Sequence, residues 1–250
     1  MKVSVAEIKA GYNSADKAED DAIWMVKYFV RPLSFYFSYF FVRINVSANG
    51  ATIISLILGL IGCGLLALGD RQKSIIGCAL LLGWLVLDHV DGNLARFYKT
   101  QSKFGDFLDT IACYTVLALF PIGLGIGSAV GYIDDNPDLA LWMAGLGGIA
   151  SILNILPRLY YQKMRGYRIE DGSYQASISV KKERGLFAHF MYFAYRFAQN
   201  LINPSGFLFV LLLLSILLEQ VPIFLIVYTF ILIGGFVVFT RNIINIIKGY

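Results

Sequence analysis

Apolar residues are gathered along this chain into six long stretches, residues 49–68, 74–97, 105–130, 139–163, 204–218 and 222–247, separated by polar connections. A helix needs about 20 mostly apolar residues to cross a bilayer, and the pattern predicts six such helices. The expected fold is therefore all-α, a polytopic membrane protein. Ahead of the first stretch, residues 1–48 are too charged to span. Within them, residues 23–41 are rich in Trp, Tyr and Phe, with Lys27 and Arg31 among them and Arg43 just beyond. That mixture predicts an amphipathic helix lying in the membrane interface, divided in two at Pro32. The chain thus reads as an interfacial arm, 1–48, followed by a six-helix transmembrane domain, 49–250.

Composition agrees with this reading. The chain is 57% hydrophobic and only 15% charged, with mean hydropathy +0.64, whereas soluble domains are about a quarter charged. Loop charge then gives an orientation, because Lys and Arg collect on the cytoplasmic side of short loops. The arm carries Lys2, Lys9, Lys17, Lys27, Arg31 and Arg43; the second-to-third connection carries Lys99 and Lys103; the fourth-to-fifth carries Arg165, Arg168, Lys181, Lys182 and Arg184. The opposite loops hold Asp134, Asp135, Asp138 and Glu219, with Arg71 and Lys73 against the rule. Both termini are expected in the cytoplasm. No cleavable signal peptide is expected, since the first twenty residues lack an apolar core. The net charge of +4 lies mainly in cytoplasmic loops and reads as topology plus attraction to anionic lipid, with no case for nucleic acid. Cys63, Cys78 and Cys113 fall inside predicted spans without the spacing of a zinc site or disulfide framework. The stretch 186–201, with His189 and Arg196, reads as a second interfacial segment, and 165–184 as a mobile cytoplasmic loop.

One run of residues changes the picture from membrane protein to candidate enzyme. Ionisable groups inside a membrane are costly and mark function, and the second span contains Leu87-Asp88-His89-Val90-Asp91-Gly92-Asn93-Leu94-Ala95-Arg96, followed by Gly105-Asp106-Phe107-Leu108-Asp109. At about 100° per residue, Asp88, Asp91, Gly92 and Ala95 share one narrow helix face. After a basic turn, Asp109 begins the next span, where it can face the first pair. Carboxylates held this close repel unless a cation compensates them. Oxygen-only ligands favour magnesium, manganese or calcium, and such sites complete their coordination with substrate phosphates. The competing reading, buried ion pairs answered by Arg96, leaves three acids against one arginine. An ion or proton relay is disfavoured because the acids sit near one end of the spans.

These residues resemble the signature of the CDP-alcohol phosphotransferase (CDP-alcohol phosphatidyltransferase) family, Asp-x2-Asp-Gly-x2-Ala-Arg-x8-Gly-x3-Asp-x3-Asp. Every specified position from Asp88 to Asp109 matches, including the eight residues between Arg96 and Gly105. Asn49-Gly-Ala-Thr52 stands where the family often has Pro-Asn-x-x-Thr, with Ala48 in place of the proline. The resemblance implies an enzyme that moves a phospho-alcohol from a CDP-linked donor to a hydroxyl acceptor (lipid, polyol phosphate or glycan) and releases CMP. It implies one or two Mg2+ or Mn2+ ions held by Asp88, Asp91 and Asp109. Gly92, Ala95 and Gly105 are then expected beside the nucleotide, and Asn49, Thr52 and Arg96 as polar contacts to the donor. A homodimer is also implied, and Gly145, Gly147 and Gly148 would permit close helix contact.

The chain departs from the family at one position. The last signature aspartate, the expected base for the acceptor hydroxyl, is Cys113 here. A thiol with an ordinary pKa near 8.5 is a poor substitute. Asp106 points to nearly the same side as Cys113 but lies about 10 Å nearer the cytoplasm; His89 points about 100° away from Asp88. A metal-bound hydroxyl needs no dedicated side chain, so the base stays unassigned at this point. The same departure motivates an alternative, a non-catalytic relative that binds nucleotide or lipid. Elsewhere, Asn154, Arg158 and Gln162 share a helix face suited either to an acceptor's phosphate or to a helix contact, and Arg241 is expected to snorkel.

Overall fold

The computed structural model describes residues 3–12, 17, 20–133, 136–170, 193, 197, 200–201 and 203–248, with backbone alone for 161, 164–170 and 242–248. Of the expected loop at 165–184, residues 165–170 instead continue a helix and 171–184 fall outside the described residues, as do His189, Arg196, Asp134 and Asp135. Among the described residues the longer elements are helices and there is no strand: α1 (Val5–Ala10), α2 (Arg31–Arg43), α3 (Ala48–Ala67), α4 (Arg71–Tyr98), α5 (Lys103–Gly131), α6 (Pro137–Glu170), α7 (Leu208–Leu217) and α8 (Val221–Lys248). Five of these, α3, α4, α5, α6 and α8, are long and apolar enough to cross a membrane. The protein is an all-α integral membrane protein.

The fifth expected span, 204–218, is shorter than the apolar run that predicted it. Residues 204–207 form turns instead of the first helical turn, and the chain is tied there by bonds from Gly206 N–H to the Asn203 carbonyl and from Phe207 N–H to the Asn200 carbonyl. α7 is left with ten residues, about 15 Å at 1.5 Å per residue. Pro32 also behaves differently from the expectation. It does not divide the arm; it occupies the first turn of α2, directly after a π-helical turn at Val26–Val30. A wider turn there accommodates the proline's missing N–H without ending the helix.

α4 is the central helix. Leu81, Trp84, Leu85, Val90 and Leu94 on it are almost fully buried. Its first half packs into the main core with Phe120 of α5, Phe209 and Leu212 of α7, and Leu225 of α8. Its second half joins a smaller cluster with Ile8, Phe35 and Phe41 of the arm.

The contact of α3 with α5 depends on small residues. A Cβ at Gly123 would lie 2.5 Å from the Cys63 carbonyl oxygen, one at Gly127 2.0 Å from that of Leu66, and one at Gly131 1.9 Å from that of Gly69. Only glycine every fourth residue lets these backbones touch. α5 and α6 cross at Gly125 and Gly147, and a Cβ on Gly147 would meet the Pro121 carbonyl oxygen at 2.6 Å. Gly147 is thus used inside the chain, while Gly145 and Gly148 face open space.

Candidate active site

The two helices that carry the acidic residues are joined by a four-residue turn. α4 ends where Lys99 adopts the left-handed conformation (φ 54) and Thr100 N–H reaches back to the Ala95 carbonyl at 2.9 Å. α5 begins at Ser102, whose hydroxyl accepts from Gly105 N–H at 3.0 Å. Gly105 packs closely with its neighbours: a Cβ there would stand 3.3 Å from Ser102 Oγ and 3.4 Å from Asn49 Oδ1. On the third wall, Ser47 caps α3 by accepting from Gly50 N–H at 3.1 Å, which places Asn49 and Thr52 on the first turns.

Between these three helix ends lies a cleft of about 260 Å³. Asn49, Thr52, Asp91, Gly92, Ala95, Arg96, Gly105, Asp106 and Asp109 line it, together with Thr100, Gln101 and Ser102. The last three escaped the sequence reading, because a polar turn between two spans looks like any other connection. Asp91 is buried and Asp109 half-buried, and their carboxyl groups come within hydrogen-bonding range of each other across the cleft. The Thr52 hydroxyl donates to Asp91 Oδ2 at 2.7 Å, and Gly92 N–H donates to Asp91 Oδ1. Asp88, one turn deeper, does not line the cleft, although its carboxyl interacts electrostatically with those of Asp109 and Asp91.

Arg96 does not close an ion pair with these acids. Its Nη2 donates to Asn93 Oδ1 at 3.1 Å, and its guanidinium lies over Gly92, 3.4 Å from where a Cβ would be. The ion pairs found among the described residues are Lys27–Asp21, Arg31–Asp20 and Arg71–Glu219, so none includes Asp88, Asp91 or Asp109. Two carboxylates this close, with no ion-pair partner among the described residues, repel unless a positive charge compensates them. Among the described residues no three acidic, His or Cys side chains form a ready-made metal cage. The observed arrangement, a convergent carboxylate pair open to a cleft, suits Mg2+, which binds one or two carboxylates and takes its remaining ligands from substrate phosphate and water.

Of the candidate bases, Asp106 is exposed on the cleft wall, while Cys113 is half-buried behind it and does not line it. Cys113 does lie in the electrostatic reach of Asp88, Asp109 and Arg158. His89 turns away from the acids, with Nδ1 2.9 Å from the Leu85 carbonyl oxygen. Asn154 is occupied by the fold: its Nδ2 donates at 2.9 Å to the Leu117 carbonyl, the oxygen that loses its helical partner because Pro121 has no N–H. Arg158 Nε is buried without a partner among the described residues, and Gln162 and Arg241 are exposed.

A family model described as CDP-alcohol phosphatidyltransferase matches residues 45–239. The chain belongs to this family. The match takes in all of α3, α4, α5, α6 and α7, so the CDP-alcohol phosphatidyltransferase domain includes every wall of the cleft. A search of curated proteins finds no match.

Proposed function

We propose that this protein transfers a phospho-alcohol from a CDP-linked donor to an acceptor hydroxyl, releasing CMP, with Mg2+ or Mn2+ held by Asp91 and Asp109 and supported by Asp88. The observation that carries the proposal is the convergence of Asp91 and Asp109, from two helices, on one cleft lined by Asn49, Thr52, Gly92, Ala95 and Arg96. The bound ion would neutralise the donor diphosphate and stabilise the oxygen that leaves. Asp91 is oriented for this by the Thr52 hydroxyl and the Gly92 N–H. Gly92 and Ala95 leave the α4 backbone open to the cytidine, and Arg96 stands beside the diphosphate. The acceptor oxygen attacks the phosphorus distal to cytidine, the bond from that phosphorus to the bridging oxygen breaks, and CMP departs with the electron pair. We assign the acceptor's proton to a carboxylate of α5, Asp106 or Asp109, because these line the cleft and Cys113 does not.

Purified protein given Mg2+ or Mn2+, a CDP-alcohol and an acceptor is expected to release CMP, measured by chromatography. Chelation with EDTA should stop the release and added Mg2+ restore it, and Asp91→Asn should lower the rate by at least about a thousandfold, the scale of a lost transition-state charge contact. The altered residue at Cys113 supports one alternative, a nucleotide-binding relative without activity. In that case wild-type protein binds CDP but forms no CMP with any donor, and Cys113→Asp introduces activity. Failure of CDP and CDP-alcohols to bind at all would remove both readings.

A further inference from the structure

Behind the cleft, on the face of α4 that carries no acid, one side chain joins the arm to the donor site. Asn93 is 1% exposed, and all of its hydrogen-bonding capacity is used. Its Oδ1 accepts from Arg96 Nη2 at 3.1 Å and from Arg31 Nη1 at 3.2 Å; its Nδ2 donates to Ser34 Oγ and Ser38 Oγ, each at 3.1 Å. The serines are fully buried and are themselves fixed, since Ser34 Oγ donates to the Arg31 carbonyl and Ser38 Oγ to the Ser34 carbonyl. Arg31 is held from its other side by Asp20, through Nε, and its guanidinium stacks 4.9 Å from the Tyr12 ring centroid. The Tyr12 hydroxyl also donates to Asp20. The arm also runs close to the stem of Arg96, for a Cβ at Gly11 would lie 3.4 Å from Arg96 Cβ.

A carboxamide is suited to this place for a definite reason. It offers an oxygen to two guanidinium groups and, from the same rigid plane, two N–H bonds to the serines. Alanine would offer neither. A long arginine side chain loses much rotamer freedom when held in one geometry, and here that ordering is completed by the fold before any ligand arrives. Pre-organisation of this kind shows as ligand affinity.

We infer that Asn93, anchored by Ser34, Ser38 and Arg31 of the arm, is a positioning residue that sets the Arg96 guanidinium at the donor cleft, so that docking of the arm governs affinity for the nucleotide diphosphate. The inference rests on the functional reading above. Asn93 acts through Arg96, and the two must therefore behave as one unit.

The test is a double-mutant cycle on the full-length protein with CDP and Mg2+ as the probe, titrated to millimolar CDP by calorimetry, for wild type, Asn93→Ala, Arg96→Ala and the double variant. Asn93→Ala is expected to weaken CDP binding about tenfold, the order of one hydrogen bond to a charged group, and to have no further effect once Arg96 is absent. With a CDP-alcohol the same variant should raise KM for the donor while changing kcat much less. Should Asn93→Ala fail to fold, Ser38→Ala, which leaves both arginine contacts but frees one amide N–H, should weaken CDP binding about threefold, again only when Arg96 is present. Equal losses with and without Arg96, or no loss in the single variants, overturn the inference alone. A wild-type protein that binds no CDP overturns the functional reading and this inference with it.

Discussion

At the scale of single residues, the contact most open to test is the hydroxyl of Thr52 on Asp91. It is buried, short and made to a carboxylate that faces the cleft, and removing such a donor leaves a buried acceptor unsatisfied. Thr52→Val, which keeps the shape, should lower kcat/KM for CMP release by about tenfold to a hundredfold while the protein still folds, as judged by its melting temperature in detergent. Asp88, Asp91 and Asp109 were legible in the sequence because helix periodicity and a short turn determine which carboxylates can meet. What helix geometry could not show is where the cleft ends: Asp88 lies on the right face yet a turn beyond the cleft. The Asn93 node was not legible either, since Ser34 and Ser38 lie 59 and 55 positions away, and nothing in an apolar helix marks an asparagine as the meeting point of two arginines.

At the scale of elements, the spans themselves were readable from apolar runs, but the way they approach one another was not. Gly123, Gly127 and Gly131 look like ordinary small residues in a span until the carbonyls of Cys63, Leu66 and Gly69 are found against them. Gly127→Ala should therefore destabilise the protein by about 1–3 kcal/mol through overpacking. Gly145→Ala, which adds a methyl to open space, should be neutral or stabilising by about 0.5–1 kcal/mol through helix propensity. Thermal unfolding of the two variants in one detergent separates these outcomes. Asn154 carries a related lesson. Its spacing with Arg158 and Gln162 left open a ligand face or a helix contact, and the proline four residues beyond Leu117 decides for the contact at Asn154, because it leaves a carbonyl that the asparagine satisfies. Asn154→Leu should cost about 1–3 kcal/mol. Likewise α7 is short because Asn203–Phe207 is spent on turns, a choice that the apolar count of residues 204–218 does not reveal.

At the scale of the whole molecule, the two ends differ in kind. The cleft, the turn between α4 and α5 and the arm share one end. The other end holds Asp70 and the pair of Arg71 with Glu219, whose Nη1 to Oε1 distance is 3.0 Å. Arg71, one of two residues against the charge rule on the expected orientation, is thus paired locally. We expect the cleft end to be cytoplasmic. A cysteine at Lys103→Cys should then react with a membrane-impermeant maleimide only in inside-out vesicles, and one at Asp138→Cys only from the outer face of intact cells; the reverse pattern would invert the orientation. The turn from Lys99 to Ser102 has a wider consequence. With one left-handed residue and a serine cap closing it at both ends, it behaves as a fixed gauge whose jaws are α4 and α5. On the function proposed above, this gauge would set the spacing of the diphosphate grip, and the choice of acceptor would fall to the cleft walls outside it.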